Sequence, residues 1–119
     1  MRIAAYQFPV SGSIEENFKQ MKMAIQHAAE LQVRLLIFPE CALTGYPPYD
    51  LPTSAHADLP KALSFQQELQ HLSEAYDIYL IAGSVTSLEK RFYNSALLFS
   101  PTAPLRYYHK RALWGWDRD

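Results

Sequence analysis

Two charged side chains occupy positions from which they could do acid–base and oxyanion chemistry. Glu40 follows the apolar run 33–38 and a proline, so its carboxylate would stand beyond the end of a strand, where a general base could take a proton. Lys110 follows the stretch 105–109, and an ammonium group there could stabilise an oxyanion formed from a carbonyl group. For either residue taken alone, a solvated surface charge is the commoner case, and position does not decide between the two interpretations.

The chain has one cysteine, Cys41, directly after Glu40. A single cysteine excludes an internal disulfide framework and a paired-cysteine metal site. Neighbouring residues in extended backbone point to opposite faces, so we expect Cys41 to face away from whatever Glu40 faces. A small buried apolar residue is therefore favoured over a reactive thiol.

Alternating strands and helices are predicted to position these residues. Apolar runs bounded by prolines, glycines and polar turns predict strands over 2–8, 33–38, 78–85, 93–99 and 105–109. A first helix begins at a capping box formed by Ser13 and Glu16 and ends near Gln32, and a second begins near Pro60. Their predicted apolar stripes are Ile14, Phe18, Met21, Ile25 and Ala28 in the first helix, and Ala62, Phe65, Leu69, Leu72 and Tyr76 in the second.

The order of the predicted elements indicates the fold class. Strand, helix, strand, long loop, helix and three further strands are typical of an α/β layered fold. In open α/β sheets the ligand crevice lies beyond the carboxyl ends of the strands, which places Glu40 and the proline-rich loop 40–52 at the predicted crevice. The sequence shows no repeat, low-complexity segment or linker, so one domain is predicted.

The composition is that of a globular chain: 119 residues, 49% hydrophobic and 19% charged, with a formal net charge of -1. It excludes a disordered acidic tail, a collagen-like repeat and a strongly basic nucleic-acid arm. No apolar run approaches the roughly 18 residues of a membrane span, and no secretory signal is visible, so we expect a cytoplasmic protein without a membrane partner. The four histidines show no metal-ligand spacing and the four glycines form no phosphate loop. Neither a metal nor a cofactor is expected.

Four ordered segments resemble those of the nitrilase superfamily, the carbon–nitrogen hydrolases. The segment 38–46, Phe-Pro-Glu-Cys-Ala-Leu-Thr-Gly-Tyr, is similar to the segment that bears the family's glutamate. Similar segments follow at 80–84 and 93–99. The segment 108–113 resembles the family's lysine segment, with Ala112 where the family usually has a histidine. The resemblance covers essentially the whole chain.

The resemblance implies the four-layer αββα sandwich of the nitrilase type, incomplete in this chain, and chemistry by a glutamate, a lysine and a cysteine. Glu40 would be the general base, Lys110 would hold the tetrahedral intermediate, and Tyr46 would help to line the substrate pocket. The family's nucleophilic cysteine lies after the lysine segment. We therefore expect residues 1–119 to be the N-terminal portion of a single domain that ends before the nucleophile, and we expect the isolated chain to be inactive. The implied substrate is a small amide or nitrile, and the implied assembly is a homo-oligomer.

The sequence leaves alternatives for both the substrate and the class of function. The loop 44–51 resembles loops both in glutaminase domains of NAD synthetases and in stand-alone aliphatic amidases, and Trp114 and Trp116 would add aromatic surface near the lysine. A non-catalytic α/β module that binds a ligand or a partner through an uncovered sheet face is the alternative from another class. Nucleic-acid binding through 106–118, which mixes basic and aromatic residues, is disfavoured by the net charge of -1.

Overall fold

A computed structural model of the chain describes residues 1–113 and confirms the predicted α/β order. The elements are β1 (Ile3–Ala5), α1 (Ile14–Glu30), β2 (Leu35–Ile37), α2 (Leu59–Tyr76), β3 (Tyr79–Leu88), β4 (Arg91–Phe99) and β5 (Arg106–His109). A short 3-10 helix, Ser54–His56, interrupts the long loop between β2 and α2.

The five strands form one sheet in the order β1-β2-β3-β4-β5. β1, β2 and β3 run parallel, whereas β4 is antiparallel to both of its neighbours, β3 and β5. The carboxyl ends of β2, β3 and β5 and the amino end of β4 therefore meet at the same edge of the sheet. The loop after β2, the start of β4 and the end of β5 are far apart in sequence, yet they can place polar side chains together at this edge.

The core lies between one face of this sheet and both helices. Alternate strand residues point to this face and are fully or almost fully buried, among them Leu36, Leu80, Ala82, Leu97 and Phe99. They pack against the buried residues of α1 and α2, and the rings of Phe18 and Phe65 stack between the two helices with centroids 4.5 Å apart. Burial of these side chains from water is the main term that holds the two layers together.

The first helix follows its sequence prediction closely. The Ser13 side chain accepts a hydrogen bond from the backbone N–H of Glu16, which caps the helix. Four residues of the predicted stripe are buried and Phe18 is partly buried against the core. Asn17, which the apolar pattern omits, is buried as well because its carboxamide bonds to the backbone of the loop that follows β2.

In the second helix four of the five predicted stripe residues are confirmed: Ala62 and Leu69 are buried, and Phe65 and Leu72 are partly buried against the core. The prediction is wrong at Tyr76, which is 40% exposed, and it misses the buried Gln66 and Ser73. The two polar residues tolerate burial because each is hydrogen-bonded: Gln66 accepts from the Tyr107 hydroxyl at 3.2 Å, and Ser73 donates to the carbonyl oxygen of Ile78 at 2.6 Å. A search for periodically spaced apolar side chains does not detect buried polar residues such as these.

The strand bounds also depart from prediction. β1 has only three residues because its pairing partner β2 is equally short, so the predicted strand 2–8 is too long. β3 and β4 extend further than predicted and are joined by a two-residue turn at Glu89 and Lys90, both with positive φ. Such left-handed turns match the twist of a hairpin, but glutamate and lysine are not the residues that announce one in a sequence.

The opposite face of the sheet is apolar and only partly buried. Leu35, Ile37, Ile81 and Leu98 point to it and are of intermediate exposure. The nearly uninterrupted apolar run 33–38 predicts a strand that is covered on both faces. Within residues 1–113 the two helices cover only one. No helix in this described part of the chain is both long enough and apolar enough to cross a membrane.

Candidate active site

The two charged residues singled out in the sequence are in contact at the shared edge of the sheet. Lys110 donates from Nζ to Oε1 of Glu40 at 3.0 Å. The Glu40 side chain is 49% exposed and that of Lys110 33%, so both lie at the mouth of a depression and remain reachable by a small molecule. The pair is too exposed to contribute much to stability.

Sheet topology brings these residues together across a long stretch of sequence. Glu40 follows β2, whereas Lys110 follows β5, two strands beyond β3 in the sheet. The intervening strand β4 supplies Asn94, whose Nδ2 donates to Glu40 Oε1 at 2.6 Å. The backbone N–H of Lys110 donates to the carbonyl oxygen of the same asparagine at 2.8 Å. Asn94 therefore contacts both charged residues.

The segment that carries Glu40 is anchored on β3 by backbone hydrogen bonds. Phe38 N–H donates to the carbonyl oxygen of Ile81 at 2.9 Å, and Leu43 N–H donates to that of Gly83 at 3.0 Å. The buried hydroxyl of Thr44 accepts from the N–H of Val85 at 2.9 Å. These three bonds fix the backbone on both sides of Glu40, so the carboxylate is presented from a rigid base.

Gly83 allows this close approach of the loop to β3. A Cβ atom built on Gly83 would lie 2.8 Å from the Cα atom of Glu40 and closer still to the backbone nitrogen of Cys41. Neither neighbour is the end of a flexible side chain, so neither can move aside cheaply. A glycine is required here for contact distance, with no demand for an unusual backbone angle.

The expectation that Cys41 is a small buried residue agrees with its 1% exposure, but the expected direction of its side chain is wrong. Its φ is +52°, so the backbone is left-handed at this position and the alternation of extended chains does not apply. Its Sγ lies 3.6 Å from Oδ1 of Asn94, the same carboxamide that donates to Glu40. Cys41 thus faces the group that contacts Glu40.

A cavity of about 270 Å³ opens in front of this cluster. It is lined by Glu40, Asn94 and Lys110, together with residues that include Phe38, Ile81 and Tyr108. A second cavity of about 320 Å³ lies between α2 and the ends of β3 and β5, and its lining is mainly apolar. We take the first as the candidate active site because it contains a carboxylate and an ammonium group in contact.

The remaining predicted site residues lie elsewhere or outside the described part of the chain. Tyr46 is half-buried, its ring stacks on that of Tyr49 with centroids 6.1 Å apart, and among residues 1–113 it is not part of the lining of the 270 Å³ cavity. Trp114 and Trp116 lie outside the described residues. Within residues 1–113, no group of three or more histidine, cysteine, aspartate or glutamate side chains is arranged to hold a metal ion.

Sequence reasoning missed two residues that shape the site, Gly83 and Asn94. Both fall in segments that resemble the family, yet neither received a role. The only local signal at Asn94 is a carboxamide near the start of a largely apolar strand, and its meaning depends on a long-range pairing. The signal at Gly83 is a glycine inside a strand, which is a known mark of close backbone approach.

Comparisons with known proteins identify the family of the chain. The sequence profile of the carbon-nitrogen hydrolase family matches residues 2–119. The chain is 35% identical to a protein N-terminal amidase of Schizosaccharomyces pombe, over 93% of this chain and 42% of that protein. It is 34% identical to a glutamine-dependent NAD(+) synthetase of Acinetobacter baylyi, over 94% of this chain and 20% of that protein.

Among solved structures, the fold is similar to that of an amidase from Nesterenkonia sp. AN1. The TM-score is 0.79 at 20% identity, over 99% of this chain and 46% of the amidase. That structure is a variant in which the acetamide moiety of fluoroacetamide is covalently added at the active-site cysteine. The chain thus spans less than half the length of each of these proteins, and its sheet with two helices corresponds to part of the nitrilase-type domain.

Proposed function

The chain belongs to the carbon–nitrogen hydrolase family, and from this premise we propose that the protein hydrolyses the carbon–nitrogen bond of a small amide. Residues 1–119 would form the N-terminal portion of a single domain, with the nucleophilic cysteine supplied by sequence that follows the lysine segment. The observation that carries the proposal is the contact of 3.0 Å between Lys110 Nζ and Glu40 Oε1 at the mouth of a cavity.

Glu40 would serve as the general base. It takes the proton of the cysteine thiol while the sulfur attacks the carbonyl carbon of the amide, and the carbonyl π electrons move to the oxygen. Lys110 holds the resulting oxyanion with its ammonium group. When the tetrahedral intermediate collapses, the carbon–nitrogen bond breaks and the leaving nitrogen takes the proton from Glu40.

Water completes the reaction. The first half leaves a thioester between the acyl group and the cysteine. Glu40 then accepts a proton from water as the oxygen attacks the thioester carbon. When the second tetrahedral intermediate collapses, the carbon–sulfur bond breaks, the sulfur takes the proton from Glu40, and the carboxylic acid leaves. An amide is favoured over a nitrile because the similar proteins include amidases. A nitrile is the second candidate and would be attacked by the same groups.

The supporting geometry favours substrates with a short apolar part. Within residues 1–113, Phe38 and Ile81 contribute apolar lining beside Glu40 and Lys110. We also propose that the protein works in the cytoplasm and as a homo-oligomer. The single cysteine of residues 1–119 is buried, and its thiol donates a hydrogen bond to Asn94, which requires the reduced form. Size-exclusion chromatography with light scattering tests the proposed homo-oligomer.

The proposal is tested by expressing the complete reading frame that contains this chain and measuring ammonia release from acetamide, propionamide, glutamine and acetonitrile. Glu40→Gln and Lys110→Met should each lower kcat by at least about 100-fold, whereas Lys90→Met, in the exposed hairpin turn, is the matched control. The isolated 119-residue chain should release no ammonia. Activity that survives Glu40→Gln, or no turnover of any of these compounds, would contradict the proposal, and the latter result favours a non-catalytic binding module.

A further inference from the structure

The carboxamide of Asn94 stands at the centre of the polar cluster. Its Nδ2 donates to Glu40 Oε1 at 2.6 Å, and its Oδ1 lies 3.6 Å from the Cys41 sulfur, which donates to it. The backbone carbonyl oxygen of the same residue accepts from the Lys110 N–H at 2.8 Å. One side chain on β4 is therefore in contact with the loop after β2 and with the end of β5.

We propose that Asn94 is a positioning residue that acts through Glu40, and that Cys41 helps to hold its carboxamide in the direction that Glu40 requires. This inference rests on the proposed function, in which Glu40 is the general base. Asn94 holds one oxygen of the carboxylate, so the other oxygen is the one that exchanges protons with the nucleophile and with water.

The hydrogen bonds to Glu40 support this division of labour. Asn94 and Lys110 both donate to Oε1, and within residues 1–113 the structure records no hydrogen bond to Oε2. A glutamate side chain that is half exposed has several rotamers of similar energy, and its reach to a reacting atom varies with each. Two donors on a single oxygen select one rotamer, and they leave the second oxygen with lone pairs that can accept a proton.

The direction of the carboxamide follows from the chemistry of its two neighbours. An ionised carboxylate only accepts hydrogen bonds, so the atom 2.6 Å from Glu40 must be the donor nitrogen. That leaves the amide oxygen toward Cys41, and a thiol can donate to it. The reversed amide would place two acceptors against each other on the Glu40 side. Cys41 is buried, so its preference for the observed direction is not weakened by competing water.

The inference predicts a specific pattern of kinetics in the complete protein. Asn94→Ala should lower kcat about 10- to 100-fold, because a displaced base loses its alignment with the reacting atoms, while KM changes much less. Asn94→Asp, which keeps the size of the side chain but removes the donor, should have a similar effect and serves as the second variant if alanine impairs folding. Arg91→Ala, at the exposed start of the same strand, is the control.

A double-variant cycle separates positioning from a general structural role. The rate of acyl-enzyme formation with p-nitrophenyl acetate, whose activated leaving group keeps the rate measurable, is compared in Glu40→Gln, Asn94→Ala and the double variant. If Asn94 acts through Glu40, the alanine costs nothing further once Glu40 is replaced. Equal losses in both backgrounds, or wild-type kcat in both Asn94 variants, would overturn the inference.

The part played by Cys41 is tested by a matched pair. Cys41→Ser keeps a donor for the amide oxygen and Cys41→Ala removes it, so kcat of the serine variant should exceed that of the alanine variant at least about threefold. Equal kcat values would remove Cys41 from the inference. Glu40→Gln distinguishes the two levels: full activity in that variant contradicts the proposed function itself, whereas a large loss there with no effect of Asn94→Ala contradicts only the positioning role.

Discussion

Gly83 lies so close beneath Glu40 that a Cβ atom on residue 83 would be 2.8 Å from the Cα atom of the glutamate. The contact joins the middle of β3 to the loop that carries the candidate base. Because the backbone of that loop is also hydrogen-bonded to β3 at Ile81 and Gly83, the loop cannot move relative to the strand without losing these bonds.

Gly83→Ala should therefore destabilise the protein and displace the loop. Overpacking at a site without free space costs about 1–3 kcal/mol, and the clash here is with backbone atoms. Urea denaturation of the complete protein measures the loss, and kcat should fall together with stability. Ser87→Ala, at an exposed position of the same strand, should stay within about 0.5 kcal/mol of wild type. Equal stability of the two variants would show that the loop can move away from β3.

Asn17 is the second anchor of the loop, and Asn17→Ala should loosen it. The Asn17 side chain is 1% exposed; its Nδ2 donates to the carbonyl oxygens of Ser11 at 2.7 Å and Leu43 at 3.0 Å. Alanine leaves these buried acceptors without that donor, at a cost of about 1–3 kcal/mol. Thermal denaturation checks the prediction against Gln26→Ala on the exposed face of the same helix. A shift in the melting temperature no larger than that of the control would contradict it.

Local patterns in the sequence were sufficient for the elements that pack by one apolar face. The capping box and apolar stripe of α1 lie where predicted because a helix with one buried face leaves a period of three and four residues in its sequence. In α2 the apolar stripe omits Gln66 and Ser73, which tolerate burial because they are hydrogen-bonded to Tyr107 and Ile78. Tyr107 is brought to α2 by the fold, whereas the bond to Ile78 is local to the end of the helix, and neither leaves an apolar period in the sequence.

The candidate site divides in the same way. Glu40 and Lys110 can be singled out from local sequence, because each comes shortly after a strand and lies in a segment that resembles the family. Their contact with Asn94 depends on the antiparallel placement of β4 between β3 and β5, a pairing that no stretch of sequence specifies by itself. Cys41 was assigned the wrong direction because its positive φ occurs at a residue type that gives no warning of left-handed backbone.

The hairpin between β3 and β4 offers a stabilising substitution. Glu89 and Lys90 have φ values of +52° and +64°, a conformation that favours asparagine followed by glycine. Glu89→Asn with Lys90→Gly should raise stability by about 0.5–2 kcal/mol, as measured by urea denaturation, and should leave kcat unchanged because the turn is exposed and lies outside the site. A matched change to two alanines keeps the strain and should not stabilise. Equal gains from both pairs would mean that loss of the charges is the cause.

The ion pair between Glu15 on α1 and Lys61 on α2 should make a pH-dependent contribution to stability. The hydrogen bond and charge of Lys61 lower the pKa of Glu15 from its ordinary 4.5, and Glu15 in turn raises the pKa of Lys61 from its ordinary 10.5. A lowered acid pKa stabilises the fold above pH 4.5, and the gain disappears as pH falls through the folded-state value. A raised lysine pKa stabilises the fold below pH 10.5, and the gain disappears as pH rises through its folded-state value.

The urea midpoint of Lys61→Met should thus lie below that of wild type at pH 7, and the two should converge below pH 4.5 and at about 1 M salt, where exposed charges are screened. Lys22→Met, on the exposed face of α1, is the control, and a difference for Lys61→Met that persists unchanged in acid would assign the effect to packing of the lysine stem instead of charge.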